Sequence, residues 1–233
     1  MTSPGMKMKL WRTLTLGKVR SMARGMWLTV LVAACASPVF AQHGVQEFTA
    51  NATFTVPAAV SELRVDAYGG GGGGGGADGS NQGGGGGGAA YNAGVITVSP
   101  GEVLTIMVGS GGKGGLAGNP AQAGAAGGTT KILNSSKVVL FAASGGKGGQ
   151  GATSTSNGNS GAGGAAGSFG SIRHVGQSGL ACQAGYGYVP VGFSNNSNDA
   201  FGIVVNPGFG AGGSGCNGGN GLNGSPGYML ISW

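Results

Sequence analysis

The residues best suited to chemistry sit in one short stretch, Tyr186-Gly187-Tyr188-Val189-Pro190-Val191-Gly192-Phe193, followed by Ser194-Asn195-Asn196-Ser197-Asn198-Asp199. Aromatic rings beside amides and hydroxyls bind the faces and hydroxyls of sugars, and they serve equally in adaptable protein-binding loops. The ligand-binding candidates are therefore Tyr186, Tyr188, Phe193, Asn195, Asn196 and Asn198. The same rings also suit a small apolar cap closing the end of a scaffold, with the polar residues as an adjoining turn. Both readings stay open at this point. A second loop candidate, residues 153–160 (TSTSNGNS), reads as an exposed turn.

Catalytic constellations are poor. His43 and His174 are isolated in sequence, and a lone histidine has no orienting partner to make it a base. Glu47, Glu62, Asp66, Asp78, Glu102 and Asp199 form no close pair of the kind glycoside hydrolysis needs. The motif SGGKGG occurs around both Lys113 and Lys147, but glycine follows each lysine where a phosphate loop needs Ser or Thr. Calcium-binding glycine repeats need an aspartate in every repeat, and here Asp78 and Asp199 stand alone. The expectation is a protein that is not an enzyme, with no metal and no cofactor.

The formal charge of +6 invites a nucleic-acid reading that the distribution of charge excludes. Lys7, Lys9, Arg12, Lys18, Arg20 and Arg24 all precede an apolar run at 26–36, and Ser-Pro-Val-Phe-Ala follows it. A basic region, an apolar core and small residues at Val39 and Ala41 make residues 1–41 a secretory signal peptide, cleaved between Ala41 and Gln42. The apolar run is too short to span a bilayer. An alternative is lipidation at Cys35, within Val32-Ala33-Ala34-Cys35, which would tie the chain to a membrane. Either route takes the mature chain out of the cytoplasm, to secretion or the cell surface, a bacterial periplasm or outer membrane included. From Gln42 onward six basic residues balance six acids, so no footprint for DNA or RNA remains. Cys182 and Cys216 are then an even pair in an oxidising compartment and are expected to form one disulfide.

What must position any site is glycine, of which the chain has 57. Gly212, Gly215, Gly218, Gly221, Gly224 and Gly227 keep a three-residue beat, as do Gly158, Gly161, Gly164, Gly167 and Gly170, and Gly109, Gly112, Gly115 and Gly118. A period of three belongs to the polyproline/polyglycine II helix and not to the α-helix or the strand. That helix has no internal hydrogen bonds, so its amides and carbonyls need neighbours, and glycine lets a second backbone come close. The uninterrupted runs 69–76 and 83–88 suit central helices, whereas G-x-x runs suit the edge of a bundle. Unbroken, the run from Gly212 to Gly227 would reach about 46 Å. Flexible linkers are the competing reading of the same runs. Collagen does not fit, because there are 8 prolines and the glycine phase breaks repeatedly.

Strand-like segments punctuate the glycine at 47–56, 60–68, 94–98, 102–108, 129–133, 137–142, 201–205 and 228–233. Alternation of Leu63, Val65 and Ala67 with Glu62, Arg64 and Asp66 predicts a sheet with one buried face. Val56-Pro57 and Ser99-Pro100-Gly101-Glu102 read as turns closing hairpins. The predicted fold is mainly β with polyglycine II helices: a single domain over 42–233, a strand-capped bundle of glycine-rich helices with almost no α-helix.

The order FTVPAAVSELRVDAYGGGGGGGG, GVITVSPGEVLTIMVGSGGKGG, ASGGKGGQG and GSPGYMLISW resembles the secreted or phage-associated glycine-rich domain family over roughly residues 46–233. Similar domains occur in the distal adhesin of T-even-type phage tail fibres and in the glycine-rich region of the anaplastic lymphoma kinase family. The resemblance implies a bundle of glycine helices capped by strands, with loops at its ends making the contacts. The signal peptide sets this chain apart from a phage part assembled in the cytoplasm. The expected function is a non-catalytic extracellular or cell-surface binding or adhesive module, its partner a surface glycan or surface protein. The alternative is a purely structural glycine-rich surface component. Ice binding, which favours rows of threonine, is a weaker match to tracts of Ala, Asn, Gln and Ser, and the signal peptide counts against a phage-derived receptor-binding role.

Overall fold

The computed structural model describes residues 43–179 and 218–233. Among these residues the protein is mainly β, with two antiparallel sheets and no helix. One sheet orders its strands β1 (Val45–Phe48), β9 (Tyr228–Ser232), β3 (Glu62–Tyr68), β4 (Tyr91–Thr97) and β8 (Ile172–His174). The other orders β2 (Ala52–Thr55), β5 (Val103–Met107), β6 (Thr130–Leu133) and β7 (Val139–Ala143). Leu63, Val65, Met229 and Ile231 of the first sheet and Leu104, Ile106, Ile132 and Phe141 of the second belong to one buried cluster. The sheets therefore pack face to face, and each fully buried Leu or Ile contributes about 1.5–3 kcal/mol.

Three expectations about the strands are corrected. Residues 47–56 are not one strand: β1 pairs with β9 in the first sheet and β2 pairs with β5 in the second. The chain crosses between sheets at residues 49–51, where the Asn51 side chain accepts a bond from the Val108 amide at 2.8 Å. The turns at Pro57 and Pro100 exist, with Val60 bonded back to Pro57 and Glu102 to Ser99, but neither closes a hairpin. Each carries the chain from one sheet to the other. Finally, Asp66 lies on the face read as polar, yet it is 1% exposed, because Tyr68, Tyr91, Tyr228 and Leu230 form a second buried cluster on that face.

A short turn at 134–138 closes β6 onto β7, and two other hairpins are closed by glycine. The tract after β3 returns as β4, with Tyr68 opposite Tyr91, and the tract after β5 returns as β6, with Met107 opposite Lys131. Tyr228 also pairs with Tyr68, His174 with Tyr91 and Ala143 with Thr130, so the tracts all leave from one end of the sandwich. At the opposite end lie the short turns and the mutually bonded Gly44 and Trp233.

Backbone bonds between the tracts repeat every third residue. Gly70, Gly73 and Gly76 donate to Gly128, Ala125 and Gln122; Gly71, Gly74 and Ala77 donate to Ser225, Leu222 and Gly219. Gly69, Gly72 and Gly75 donate to Ala90, Gly87 and Gly84. The carbonyls of Gly71 and Gly74 accept from Gly112 and Gly115, and those of Gly70 and Gly73 from Gly146 and Gly149. Tract 69–77 is thus bonded to five others, and its amides are satisfied without helix or sheet. Every residue of 69–77 and 83–90 is buried, whereas the G-x-x tracts expose Lys113, Gln122, Ala126, Lys147, Ala162 and Ala165. A Cβ on Gly72 would overlap the Lys147 carbonyl, and one on Gly86 the Gly72 carbonyl, so both positions require glycine for close approach. In the part of the Gly212 to Gly227 beat that lies within the described residues, 218–220 bend and Gly218 has φ 66°.

Candidate functional site

At the end of the tracts away from the sheets lie four short loops: 77–82, 116–121 and 152–157, which reverse the chain, and 218–220, which bends. Asp78 and Asn81 exchange backbone bonds around Gly79, whose φ of 50° is one that glycine adopts freely. Thr153 and Ser156 exchange backbone bonds in the same way, and the Thr153 hydroxyl also accepts from the Ser156 amide at 3.1 Å. The exposed turn read from the sequence at 153–160 is found over residues 153–157, while Gly158 is buried.

Side chains then tie the loops to one another. Asn81 Nδ2 donates to the Thr153 carbonyl at 2.8 Å, and the Gln82 amide donates to Asn157 Oδ1 at 2.9 Å. The Gly218 amide donates to Gln82 Oε1 at 2.8 Å, and the Ala117 amide to Asn220 Oδ1 at 2.8 Å. Backbone bonds from Gly118 to Ala77 and from Ala77 to Gly219 complete the set. The result is one surface with fixed geometry, whose exposed polar groups come from Ser80, Asn119, Ser154, Thr155, Asn157 and Asn220. These loops hold no Lys, Arg, His or aromatic residue, and their single acid, Asp78, is 8% exposed. Such a surface offers hydrogen-bond donors and acceptors and almost no charge.

The polar cluster under the sandwich is of another kind. Tyr91 donates its hydroxyl to Asp66 Oδ1 at 2.6 Å, and Arg64 Nε lies 3.4 Å from Asp66 Oδ2. Tyr68 and Tyr91 pack at 4.7 Å between ring centroids, and the His174 ring stacks on Tyr91 at 6.0 Å. Burial, then the charge and hydrogen bond of Glu47 and the charge of Asp66, push the Tyr228 phenol up to about 12. Asp66 and Tyr91 are each 1% exposed, so the cluster braces the junction of sheet and glycine, with His174 on its exposed side. Near the opposite end of the sandwich a shallow depression of about 590 Å³ is lined by His43, Val45, Glu62, Arg64, Val95 and Trp233.

The two histidines therefore lie apart, His43 in that depression and His174 on the sheet. The repeated SGGKGG is a packing motif: both copies turn their glycine amides to the carbonyls of tract 69–77, and both lysines point into solvent. Among the described residues no group of three His, Cys, Asp or Glu is placed to hold a metal ion, and no helix is long and apolar enough to cross a membrane. Tyr186, Tyr188, Phe193, Asn195, Asn196 and Asn198 lie outside the described residues, as do Cys182, Cys216, Cys35, Ala41 and Gln42. Sequence reasoning missed the other three loops of the cluster. The signal for them was the set Asn81, Gln82 and Asn220, side-chain amides standing at the ends of glycine tracts, where capping a neighbouring amide is their natural use.

No curated protein matches the chain. The model of the glycine-rich domain matches residues 47–230, which takes in all the tracts and every strand but the edges of β1 and β9. By that match the chain belongs to the glycine-rich domain family.

Proposed function

We propose that this protein is a non-catalytic extracellular or cell-surface binding module, in which polyglycine II helices form a rigid scaffold and the four-loop end makes the contacts. The three-residue rotation of hydrogen-bond direction along 69–77 supports the helix assignment, because three residues per turn point every third amide the same way. The observation that carries the functional reading is the loop cluster itself. The ties from Asn81 to Thr153 and from Gln82 to Asn157 hold loops distant in sequence in one arrangement, and loops on rigid scaffolds are where binding residues concentrate. Gly44 and Trp233 sit at the other end, so the cluster stands about 45 Å from them, at ~3.1 Å per residue of glycine helix and ~3.4 Å per residue of strand. That geometry suits presentation of the loops away from a point of attachment, as the resemblance to tail-fibre adhesins and the receptor glycine-rich region implies. The basic leader supports export, with Ala41 and Gln42 at the cleaved bond or Cys35 lipidated, and with Cys182 and Cys216 joined in the oxidising compartment that follows.

The test is adhesion of the chain from Gln42, immobilised by its C-terminus on beads, to intact bacterial and animal cells. Adhesion that disappears when a bulky six-residue insertion is placed at Ser154, with circular dichroism unchanged, is the expected result. Absence of adhesion to every surface would replace this reading with that of a structural surface component.

A further inference from the structure

We infer that the ligand of the four-loop end is an uncharged carbohydrate, held by side-chain amides and hydroxyls with no metal ion and no ionic contact. The inference rests on the binding reading above and narrows it. The surface exposes Ser80, Asn119, Ser154, Thr155, Asn157 and Asn220, which are hydroxyls and carboxamides, and it draws them from four separate loops. A carboxamide both donates and accepts, which matches the paired donor and acceptor character of neighbouring sugar hydroxyls. A charged partner would need a counter-charge, and these loops contain no Lys, Arg or His, while Asp78 is 8% exposed. Sialylated, sulfated and phosphorylated glycans are disfavoured for that reason, because removing their charge from water would go uncompensated. A protein partner is disfavoured because protein interfaces centre on buried aromatic or arginine anchors, and these loops hold neither.

The geometry is also set before binding. Asn157 Oδ1 accepts from the Gln82 amide and Asn220 Oδ1 from the Ala117 amide, so both exposed carboxamides are held in a defined position. Without an aromatic platform a single site is weak, so binding becomes measurable through many copies acting together.

The experiment displays the chain from Gln42 on multivalent beads over an array of neutral, sialylated and sulfated glycans, with and without EDTA. The variants are Ser80→Ala, Asn119→Ala and Ser154→Ala combined, and a Lys113→Ala, Lys147→Ala control. Expected are retention on neutral glycans alone, no effect of EDTA, less than a twofold change between low and high salt, and at least a tenfold loss in the triple variant only. Retention on charged glycans that salt abolishes, loss with EDTA, an undiminished triple variant, or no retention on any glycan would each overturn the inference. Cell adhesion lost on insertion at Ser154, together with no glycan retention, would leave the binding reading standing and remove the carbohydrate. Absence of both would remove the two together. Circular dichroism of each variant separates lost binding from lost fold, and Asn119→Asp, which keeps the shape, supplies a second readout: it should weaken neutral-glycan retention without changing the spectrum.

Discussion

The amide of Gly72 donates to the carbonyl of Gly87 at 2.9 Å, joining the two uninterrupted glycine runs at their middle. Two backbones approach that closely only where neither carries a side chain between them, and the surrounding carbonyls confirm the crowding. A Cβ on Gly72 would sit inside the Lys147 carbonyl, which is main chain and cannot turn aside. Gly72→Val should therefore abolish cooperative folding or cost more than ~3 kcal/mol, as should Gly86→Val. Ala165 is exposed, so Ala165→Val should stay within ~0.5 kcal/mol of the parent. Urea denaturation of the three variants checks the contrast, and equal tolerance would favour flexible linkers.

Asn220 and Asn223 stand three residues apart and cap successive amides of the neighbouring tract, Ala117 and Gly114, each at 2.8 Å. An alanine at either position removes one acceptor, with water able to replace it at an exposed site. Asn223→Ala should cost about 1 kcal/mol, and the double change with Asn220→Ala about twice that. Exchange of the Gly114 amide should quicken in the single variant, and an unchanged rate would show that the cap contributes nothing.

Tyr228 supplies the pH dependence. Its folded pKa is raised to about 12 from an ordinary 10, so above pH 10 the unfolded chain loses a proton that the folded chain keeps. Stability should be constant through neutral pH and fall by at most ~1.4 kcal/mol per unit as pH rises from about 10 toward 12. Tyr228→Phe should flatten that part of the profile, measured as the urea midpoint against pH. A fall of the same steepness in the variant would assign the effect to other groups.

Much of the architecture was legible because two periods coexist in one chain. The alternation of Leu63, Val65 and Ala67 marks a strand face, and the beat of Gly109, Gly112, Gly115 and Gly118 marks a tract. Periodicity gives the face of a strand but not its partner, which is why the turns at Pro57 and Pro100 looked like hairpins and are crossings between sheets. The break at residues 49–51 carries neither Gly nor Pro and is held by the distant Val108 amide, a contact no local pattern announces. Asp66 alternates correctly as a polar residue and is buried all the same, because Tyr91 supplies its hydroxyl from the next strand. The loop cluster was legible only at residues 153–160, since its other members converge through the packing of tracts far apart in sequence.

Hydrogen exchange at the glycine amides tests the central claim most directly, because a scaffold and a set of linkers differ most there. The account predicts that Gly70 through Gly76, each bonded to a carbonyl of another tract, exchange only through global unfolding and so match the core strands β3 and β4. The exposed loop amides of Ser80 and Ser154 should exchange far faster. Exchange of Gly70 through Gly76 at the rate of an unstructured chain would contradict the account, scaffold and presented loops alike.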